Sequence, residues 1–382
     1  MTRKLYYEVP YMTEFTAQVL EVREEKGKFL VRLDATAFYP EGGGQPYDTG
    51  TLSGEKVLEV HERDGEIWHT LSAPLKEGRL ADGSINWPRR FDLMQQHSGE
   101  HILSGILHEM TGCDNVGFHL SMDNIYVDFD KPIEWETLLS AESRANRYIW
   151  ENHPVEISFP SPEELASLSY RSKKALSGEV RIVAFPGADI CACCGTHVAF
   201  SGEIGQIRVL TVQNWKGGVR VEMACGSRAL SVSRSWMNQT LSIARALSVK
   251  PENAFAAVQK LSEELAAKKG ELSALKEAAF SKTAAEYAGK GNVLLFEDGL
   301  SPDEVRKLAG MIAENCGGRA AVFSGNEPDG YKYALSVTDG DLRPLTKELN
   351  AALFGRGGGK PNFTQGSVSA SRTEIESFFE EK

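Results

Sequence analysis

Short runs of alternating apolar and polar residues fill the N-terminal part of the chain. Residues 17–22 and 28–33 are clear examples, and glycines and charged residues separate such runs. Alternation with a period of two is typical of strands that bury one face, and the intervening turn residues indicate hairpins. We therefore expect residues 1–90 to form an all-β domain, a small β-barrel.

The period changes to that of a helix near residue 91. Apolar positions at helical spacing predict a helix over residues 91–110, and they are Phe91, Leu93, Met94, Ile102, Leu103, Ile106 and Leu107. Strand patterns at 125–129 and 155–159 flank a second helical pattern at 134–152. Further strands extend to residue 230, so we expect residues 91–230 to form an α+β domain.

The remaining chain divides into a helical and a mixed segment. Residues 231–288 read as a helical linker with an apolar seam at heptad-like spacing: Val258, Leu261, Leu265, Leu272, Leu275 and Ala279. This seam fits an antiparallel hairpin with the preceding helix or pairing with a second chain. Residues 289–382 predict a separate α/β domain, in which Ser301 caps a helix that has Pro302 at its first position.

A glycine-rich segment follows the helix that is predicted around residues 342–353 of that domain. It is Arg356-Gly357-Gly358-Gly359-Lys360, and we expect it to be a loop. Backbone N–H groups of such a loop could hold a phosphate, with the two cations beside them. The whole chain is therefore expected to be an α+β protein of several domains.

Composition narrows the class of protein. The 382 residues have 41% hydrophobic and 25% charged content and a net charge of -11, which argues against a general nucleic-acid coat protein. A structured RNA met by a local basic patch remains compatible with this charge. Neither an apolar run of transmembrane length nor a signal-peptide core is apparent, so we expect a cytoplasmic protein.

Two histidine-containing motifs predict a metal site. His97 and His101 lie four residues apart on one face of the predicted helix, and Cys193 and His197 have the same spacing later in the chain. Three imidazoles and a thiolate can form a tetrahedral zinc site. Spacing alone leaves Cys194 and Cys191 open as the sulfur ligand. The other histidines, such as His69, are expected at the surface or in packing.

The same stretch also fits another reading. His97-Ser98-Gly99-Glu100-His101 matches the His-x-x-Glu-His pattern of some metalloproteases. Glu100 would then be the general base, with a distant glutamate such as Glu179 as the third ligand. This alternative leaves Cys193 and His197 without a role.

A triple-glycine stretch is the other candidate for chemistry. Gly42, Gly43 and Gly44 stand between Phe38-Tyr39 and Gln45, and they would expose backbone N–H groups to a ligand. Gly43, Gly44 and Gln45 are therefore candidate substrate donors. An ordinary flexible hairpin loop is the alternative interpretation.

The motifs together resemble a known family. Residues 36–45, His97-x3-His101, residues 193–198 and Ser201-Gly202-Glu203-Ile204-Gly205 are similar, in this order, to the editing domain of alanyl-tRNA synthetase and to the free-standing AlaX editing proteins. Residues 355–365 resemble the C-terminal DHH-associated domain that the synthetase shares with the long AlaX form. Two positions depart from the usual pattern, namely Glu100 and Cys194.

This resemblance implies a specific function. It implies hydrolysis of the ester in seryl-tRNA(Ala), with glycyl-tRNA(Ala) as a second substrate, and a zinc ion held by His97, His101, Cys193 and His197. It implies that the Thr36 hydroxyl senses the serine side chain and that residues 42–45 contact substrate. It also implies tRNA contacts in the C-terminal domain, for which residues 356–360 are candidates. Because the chain begins directly in the editing region, correction in trans without aminoacylation is expected.

Two alternatives remain beside the deacylase. One is a tRNA-binding or assembly protein with little catalysis, and the other is the metalloprotease. The sequence leaves open whether a zinc ion would activate water or only position the substrate. A homodimer through the helical linker and C-terminal domain is also expected.

Overall fold

The structure is a computed structural model that describes residues 1–172 and 179–382. The chain divides into two compact units, Met1–Ser242 and Ile243–Lys382, and each is described by itself. Both units mix helices with sheets, which agrees with the predicted α+β class. The finer division into four domains stays a prediction.

Eight strands and one short helix form the N-terminal part of the first unit. They are β1 (Arg3–Lys4), α1 (Leu5–Glu8), β2 (Glu14–Glu25), β3 (Lys28–Leu33), β4 (Ala35–Thr36), β5 (Gly50–Leu52), β6 (Glu55–Arg63), β7 (Glu66–Leu71) and β8 (Leu80–Ile85). Six of them pair antiparallel in a closed ring, in the order β2-β3-β7-β6-β5-β8. Alternate residues of β2 (Phe15, Ala17, Val19) point into the apolar core, because successive side chains face opposite sides of a strand. Among these nine elements, the short helix α1 is the one that the all-β prediction does not include.

The rest of the first unit packs helices on two further sheets. Its elements are α2 (Trp87–Thr111), β9 (Asn115–Leu120), β10 (Ile125–Phe129), α3 (Trp135–Glu151), β11 (Glu156–Ser158), α4 (Pro162–Ser167), β12 (Ile182–Phe185), β13 (Asp189–Ala192), β14 (Ile207–Trp215), β15 (Gly218–Cys225) and α5 (Gly226–Ala246), with a 3-10 turn at Ser201–Ile204. The sheets have the orders β14-β15-β10-β9 and β11-β12-β13. Apolar residues of α2 and α3 pack against both sheets in one core.

The second unit is a five-stranded sheet with helices. Its elements are α6 (Ala254–Glu286), β16 (Gly291–Phe296), α7 (Pro302–Cys316), β17 (Gly317–Asn326), β18 (Gly330–Val337), α8 (Arg343–Ala352), β19 (Arg356–Lys360), β20 (Phe363–Val368) and α9 (Arg372–Glu380), with a 3-10 turn at Pro251–Asn253. The sheet order is β16-β17-β18-β20-β19. As predicted, Ser301 caps α7, and its side chain accepts a hydrogen bond from the Glu304 N–H.

One prediction about this unit is wrong. Residues 356–360 are not a loop but the edge strand β19, which pairs antiparallel with β20. Glycines are required where the strand runs close to its neighbour, since a Cβ on Gly357 would lie 2.4 Å from the Gln365 carbonyl oxygen. Hydrogen bonding to β20 therefore overrides the low strand propensity of glycine.

In the described ranges, every helix is too short or too polar to cross a bilayer.

Candidate metal centre

Helix α2 carries the first two candidate ligands. It begins after Asn86, whose side chain accepts a hydrogen bond from the Arg89 N–H, and ends at Gly112 in the left-handed region. His97 and His101 are buried on one face, with ring centroids 5.3 Å apart. The predicted spacing of the two imidazoles on one helix face is thus present.

Two glycines let α2 approach strand β15 and the residue that precedes β13. A Cβ on Gly99 would lie 2.2 Å from the Cys225 Sγ of β15, and one on Gly105 would lie 2.2 Å from the Ala188 carbonyl oxygen. Any larger residue would push the helix away. The segment that follows Ala188 can therefore reach the two histidines.

Cys193 and His197 follow β13 and face the two helix histidines. The Cys193 Sγ lies 3.4 Å from both the His97 Nε2 and the His197 Nε2, and one ligand atom from each of the four side chains lies within 4.8 Å of the others. Zinc bonds of about 2.1 Å to nitrogen and 2.3 Å to sulfur at a tetrahedral angle place nitrogen and sulfur about 3.6 Å apart. The donor types, burial and spacing of this group therefore fit a zinc ion.

The structure also separates the three neighbouring cysteines. Cys193 belongs to the four-residue group, whereas Cys191 lies with His101 and Asp189, and Cys194 is exposed. Burial opposes ionisation of the Cys193 thiol, but the surrounding His97, His197 and His101 rings outweigh it and hold its pKa well below the usual value. A thiolate is the form that binds metal.

Each histidine is oriented by a contact on its other ring nitrogen. The Nδ1 of His97 lies 3.0 Å from the Gln45 Oε1, that of His101 lies 2.8 Å from the Asp189 Oδ2, and that of His197 lies 3.2 Å from the Ser98 Oγ. The Gln45 and Asp189 oxygens only accept, so they place the proton on Nδ1 of His97 and His101 and leave Nε2 free to bind a metal; the Ser98 hydroxyl is able to do the same for His197.

Asp189 is the strongest of these orienting partners. Its Oδ1 accepts a hydrogen bond of 2.7 Å from the Arg171 Nε, while its Oδ2 faces His101. Burial raises the pKa of the Asp189 carboxyl, but the His101 and Arg171 contacts outweigh burial and keep it below its ordinary value. Sequence analysis missed both Asp189 and Arg171, because neither has a recognisable spacing to the histidines.

The triple-glycine stretch lies beside this group. The Gly42 N–H donates to the Gln45 carbonyl oxygen at 3.1 Å and the Gln45 N–H donates back at 2.9 Å, which closes a tight turn. Gly43 and Gly44 are exposed at the tip with φ of 58° and 84°. A Cβ on Gly43 would lie 4.0 Å from both the Cys194 Cβ and the Gly195 N.

Gln45 is buried and makes contacts within the protein. Its Nε2 donates to the Thr196 Oγ1 at 2.8 Å, and its Oε1 accepts from the Thr196 N–H at 3.1 Å and faces His97. These contacts join the glycine turn to the loop that carries Cys193 and His197. They give Gln45 a positioning role, and its role as a substrate donor stays a prediction.

An internal ion pair fixes the same turn to helix α2. Arg90 is fully buried and its Nε donates to both carboxylate oxygens of Asp48 at 2.9 Å. The Asp48 carboxylate also accepts from the Tyr39 N–H at 2.7 Å. Both ends of the turn are therefore held against the helix that carries His97.

Thr36 is fully buried, and its hydroxyl contacts two groups of the protein. Its Oγ1 lies 2.8 Å from the His69 Nε2 and accepts from the Phe38 N–H at 3.1 Å. The His69 Nδ1 lies 3.0 Å from the Val31 carbonyl oxygen, which only accepts, so Nδ1 carries the proton. Burial lowers the pKa of His69 to about 4, against a smaller opposing effect of the Val31 carbonyl. The Thr36 hydroxyl therefore donates to neutral His69 and keeps one lone pair.

Glu100 lies in a polar network beside the histidine face of α2. Its Oε1 accepts from the Ser104 Oγ at 2.8 Å and from the Asn115 Nδ2. The carboxylate is buried. Because Glu100 already accepts these hydrogen bonds within the protein, the structure disfavours the general-base role that the metalloprotease interpretation requires.

Known families match most of the chain. The class II (A) tRNA synthetase family matches residues 3–89, the threonyl and alanyl tRNA synthetase second additional domain matches residues 180–222, and the DHHA1 domain matches residues 288–381. Together with the His/Cys group, these matches define a protein of the editing type found in alanyl-tRNA synthetases, joined to a DHHA1 domain.

Individual relatives narrow this class. The alanyl-tRNA editing protein AlaX-L of Pyrococcus horikoshii is 30% identical over 98% of this chain and 96% of its own length. The chain belongs to this family of alanyl-tRNA editing proteins. Alanine–tRNA ligases of Methanoregula boonei and Pyrococcus abyssi are 33% and 34% identical over 96% and 98% of the chain. The chain spans only 41% and 43% of the length of those two ligases.

Proposed function

We propose that this protein hydrolyses the aminoacyl ester of seryl-tRNA(Ala), with glycyl-tRNA(Ala) as a second substrate. The observation that carries the proposal is the buried group of His97, His101, Cys193 and His197 beside an exposed glycine turn. Membership of the AlaX-L family supports the same reaction, since the relative is named an alanyl-tRNA editing protein.

We propose that His97, His101, Cys193 and His197 hold one zinc ion. The two histidines of α2, together with Cys193 and His197, offer three nitrogens and one sulfur at distances that suit this metal. When bound, zinc would supply Lewis-acid polarisation or a fixed anchor for the substrate. Gln45, Asp189 and Ser98 would keep the three imidazoles in the ligand-competent tautomer.

The glycine turn would contact the reacting ester. Gly43 and Gly44 have no side chain to block the approach, and their backbone N–H groups are candidate donors to the oxyanion that forms during hydrolysis. The turn is held in place on both sides, by Arg90 and Asp48 and by the Gln45 contact to Thr196. Such a preorganised turn would stabilise the transition state without further rearrangement.

Thr36 is the proposed recognition residue for serine. Because its hydroxyl already donates to His69, it could only accept a hydrogen bond from a seryl hydroxyl. A site that hydrogen-bonds a substrate hydroxyl can reject the analogue without it by up to roughly 10⁴-fold. This difference would separate seryl-tRNA(Ala) from correct alanyl-tRNA(Ala).

Two further partners are proposed for the second unit. Arg356 and Lys360 are exposed on the edge strand β19, where they would contact the tRNA backbone. Val258, Leu261, Leu265, Leu272 and Leu275 of α6 are exposed by 43–68% in one heptad-spaced row. Two such rows can pair as a coiled coil, so we propose a homodimer through α6.

A deacylation assay tests the proposal. The full-length protein should release serine from seryl-tRNA(Ala), and more slowly glycine from glycyl-tRNA(Ala), while it spares alanyl-tRNA(Ala). Thr36→Val should reduce the serine-to-alanine ratio, Thr36→Ser should retain it, and Thr211→Val, an exposed threonine on β14, should leave it unchanged. Absence of deacylation would leave a tRNA-binding protein as the better interpretation, and elemental analysis without zinc would refute the metal site.

A further inference from the structure

Arg181 lies just before β12 with part of its guanidinium unused. The side chain is only 5% exposed. Its Nη1 donates to the carbonyl oxygens of Cys193 at 2.8 Å and Gly195 at 2.9 Å. Within residues 1–172 and 179–382, its Nε and Nη2 find no hydrogen-bond partner. A buried donor without a partner is costly, so this pair of nitrogens requires an explanation.

Nε and Nη2 form one edge of the guanidinium, and elsewhere in this protein that edge binds a carboxylate. Arg3 uses it for Glu8, Arg220 for Asp128 and Arg343 for Asp341. Two parallel N–H donors match two oxygens of a carboxylate or a phosphate. The free edge of Arg181 therefore has the shape of a site for an anion with two oxygens.

A second unpartnered donor lies nearby. The Tyr6 hydroxyl is buried in a residue that is 1% exposed, and it too lacks a partner within the described residues. The Tyr6 ring packs against the Tyr7 ring, with centroids 4.6 Å apart, and the Tyr7 ring lies 4.8 Å from the Arg181 Cζ. Tyr6 is thus connected to Arg181 through the Tyr7 ring.

The site adjoins the candidate metal centre. Arg181 binds the backbone of Cys193 itself, and the Tyr7 hydroxyl donates to the Cys194 carbonyl oxygen at 3.0 Å. Gly43 of the glycine turn faces the same Cys194-Gly195 segment. An anion bound at Arg181 would therefore be a close neighbour of a group reacting at the metal.

We propose that Arg181 binds the phosphate of the terminal nucleotide of the aminoacyl-tRNA. This inference rests on the proposed function. In that substrate the aminoacyl ester is on the terminal ribose, and the 5′ phosphate of the same nucleotide is the nearest anion. One nucleotide thus presents its ester to the metal centre and its phosphate to Arg181.

Tyr7 packs against Arg181 beside this phosphate subsite. The Nε and Nη2 atoms of Arg181 are shielded from water, and the Tyr7 ring lies against the guanidinium. Tyr7 is partly exposed and belongs to the four-residue helix α1, so its displacement gives up the hydrogen bond to Cys194.

Binding of non-hydrolysable analogues tests the subsite. The probes are 3′-deoxy-3′-(serylamino)adenosine with and without a 5′ phosphate, and calorimetry on the full-length zinc-loaded protein measures both affinities. The phosphate should tighten binding to the wild type by roughly 10- to 100-fold, the range of a charged bidentate contact. Arg181→Gln should bring the ratio of the two affinities close to one, whatever happens to the unphosphorylated analogue.

Two further variants serve as a control and as a conservative replacement. Arg220→Gln, which removes an arginine whose edge is already filled by Asp128, should retain the wild-type ratio. Arg181→Lys, which keeps the charge but loses the two-donor edge, should give an intermediate ratio and replaces Arg181→Gln if that variant does not fold. A wild type without phosphate preference, or an Arg181 variant with an unchanged ratio, overturns the inference.

The result is separable from the deacylase proposal. Release of serine from seryl-tRNA(Ala) tests the reaction, whereas the analogues report only the phosphate contact. A protein that prefers the phosphorylated analogue yet leaves seryl-tRNA(Ala) intact would retain the subsite and refute the deacylase. Deacylation without a phosphate preference would support the deacylase and refute the phosphate subsite.

Discussion

Replacing Asp189 with asparagine should weaken zinc binding by about 10- to 100-fold, or about 1.4–2.7 kcal/mol. The Asp189 carboxylate uses both oxygens, one for the Arg171 Nε at 2.7 Å and one for the His101 Nδ1 at 2.8 Å. Asparagine has a single oxygen, so its NH₂ group must face one of these two donors. His101 would then lose its orientation or its charge-assisted hydrogen bond.

The assay is a competition titration against a chelator of known affinity, with the full-length protein at a fixed neutral pH. Asp128→Asn is a matched control, because Asp128 also uses both oxygens, for the Nε of Arg220 at 2.6 Å and its Nη2 at 2.7 Å. Its zinc affinity should equal that of the wild type. An Asp189→Asn variant with unchanged affinity, or an equal loss in both variants, would show that Asp189 does not orient a metal ligand.

Three other predictions concern stability and assembly. Burial lowers the pKa of His69 to about 4 in the folded protein. As the pH falls, His69 of the unfolded chain is therefore protonated before His69 of the folded protein. The free energy of unfolding should then drop by about 3 kcal/mol between pH 6.5 and 4. Denaturation at several pH values should show this drop in the wild type relative to His69→Gln, and equal pH dependence of the two would contradict it. Gly44→Ala should lower the free energy of unfolding by about 1–3 kcal/mol more than Gly54→Ala does. Both glycines have φ of 84°, but only a Cβ at Gly44 would contact Phe118, at 2.8 Å. Similar losses of stability in denaturant unfolding of the two variants would refute the clash. Leu265→Glu should convert the proposed dimer to a monomer in sedimentation velocity, and a wild type that is already monomeric would remove that proposal.

The local sequence pattern was sufficient to predict features that lie within a single helix. Helical spacing placed His97 and His101 on one face of α2, and Ser301 with Pro302 marked the start of α7. The link between the helix pair and Cys193 with His197 came from the spacing motifs and the family resemblance together. The structure brings these four side chains into one group.

Contacts between distant segments could not be predicted in the same way. Nothing near Asp189 in the chain indicates that it faces His101, and nothing near Gln45 indicates that its side chain bonds to Thr196. His69 was expected in packing or at the surface, and its bond to Thr36 became visible only when β7 and β4 were placed. Strand β19 was missed because its pairing with β20 outweighs the preference of glycine for turns.

The candidate metal centre also has a consequence for biosynthesis. His97 meets a side chain 52 residues earlier, in Gln45, and another 96 residues later, in Cys193, while Gln45 and Thr196 are separated by 151 residues. Closing such long loops is slow and opposed by chain entropy. During synthesis, helix α2 leaves the ribosome after Gln45 but well before Cys193 and His197 exist. Zinc would be acquired only after His197 has emerged, as one of the last steps in maturation of the first unit.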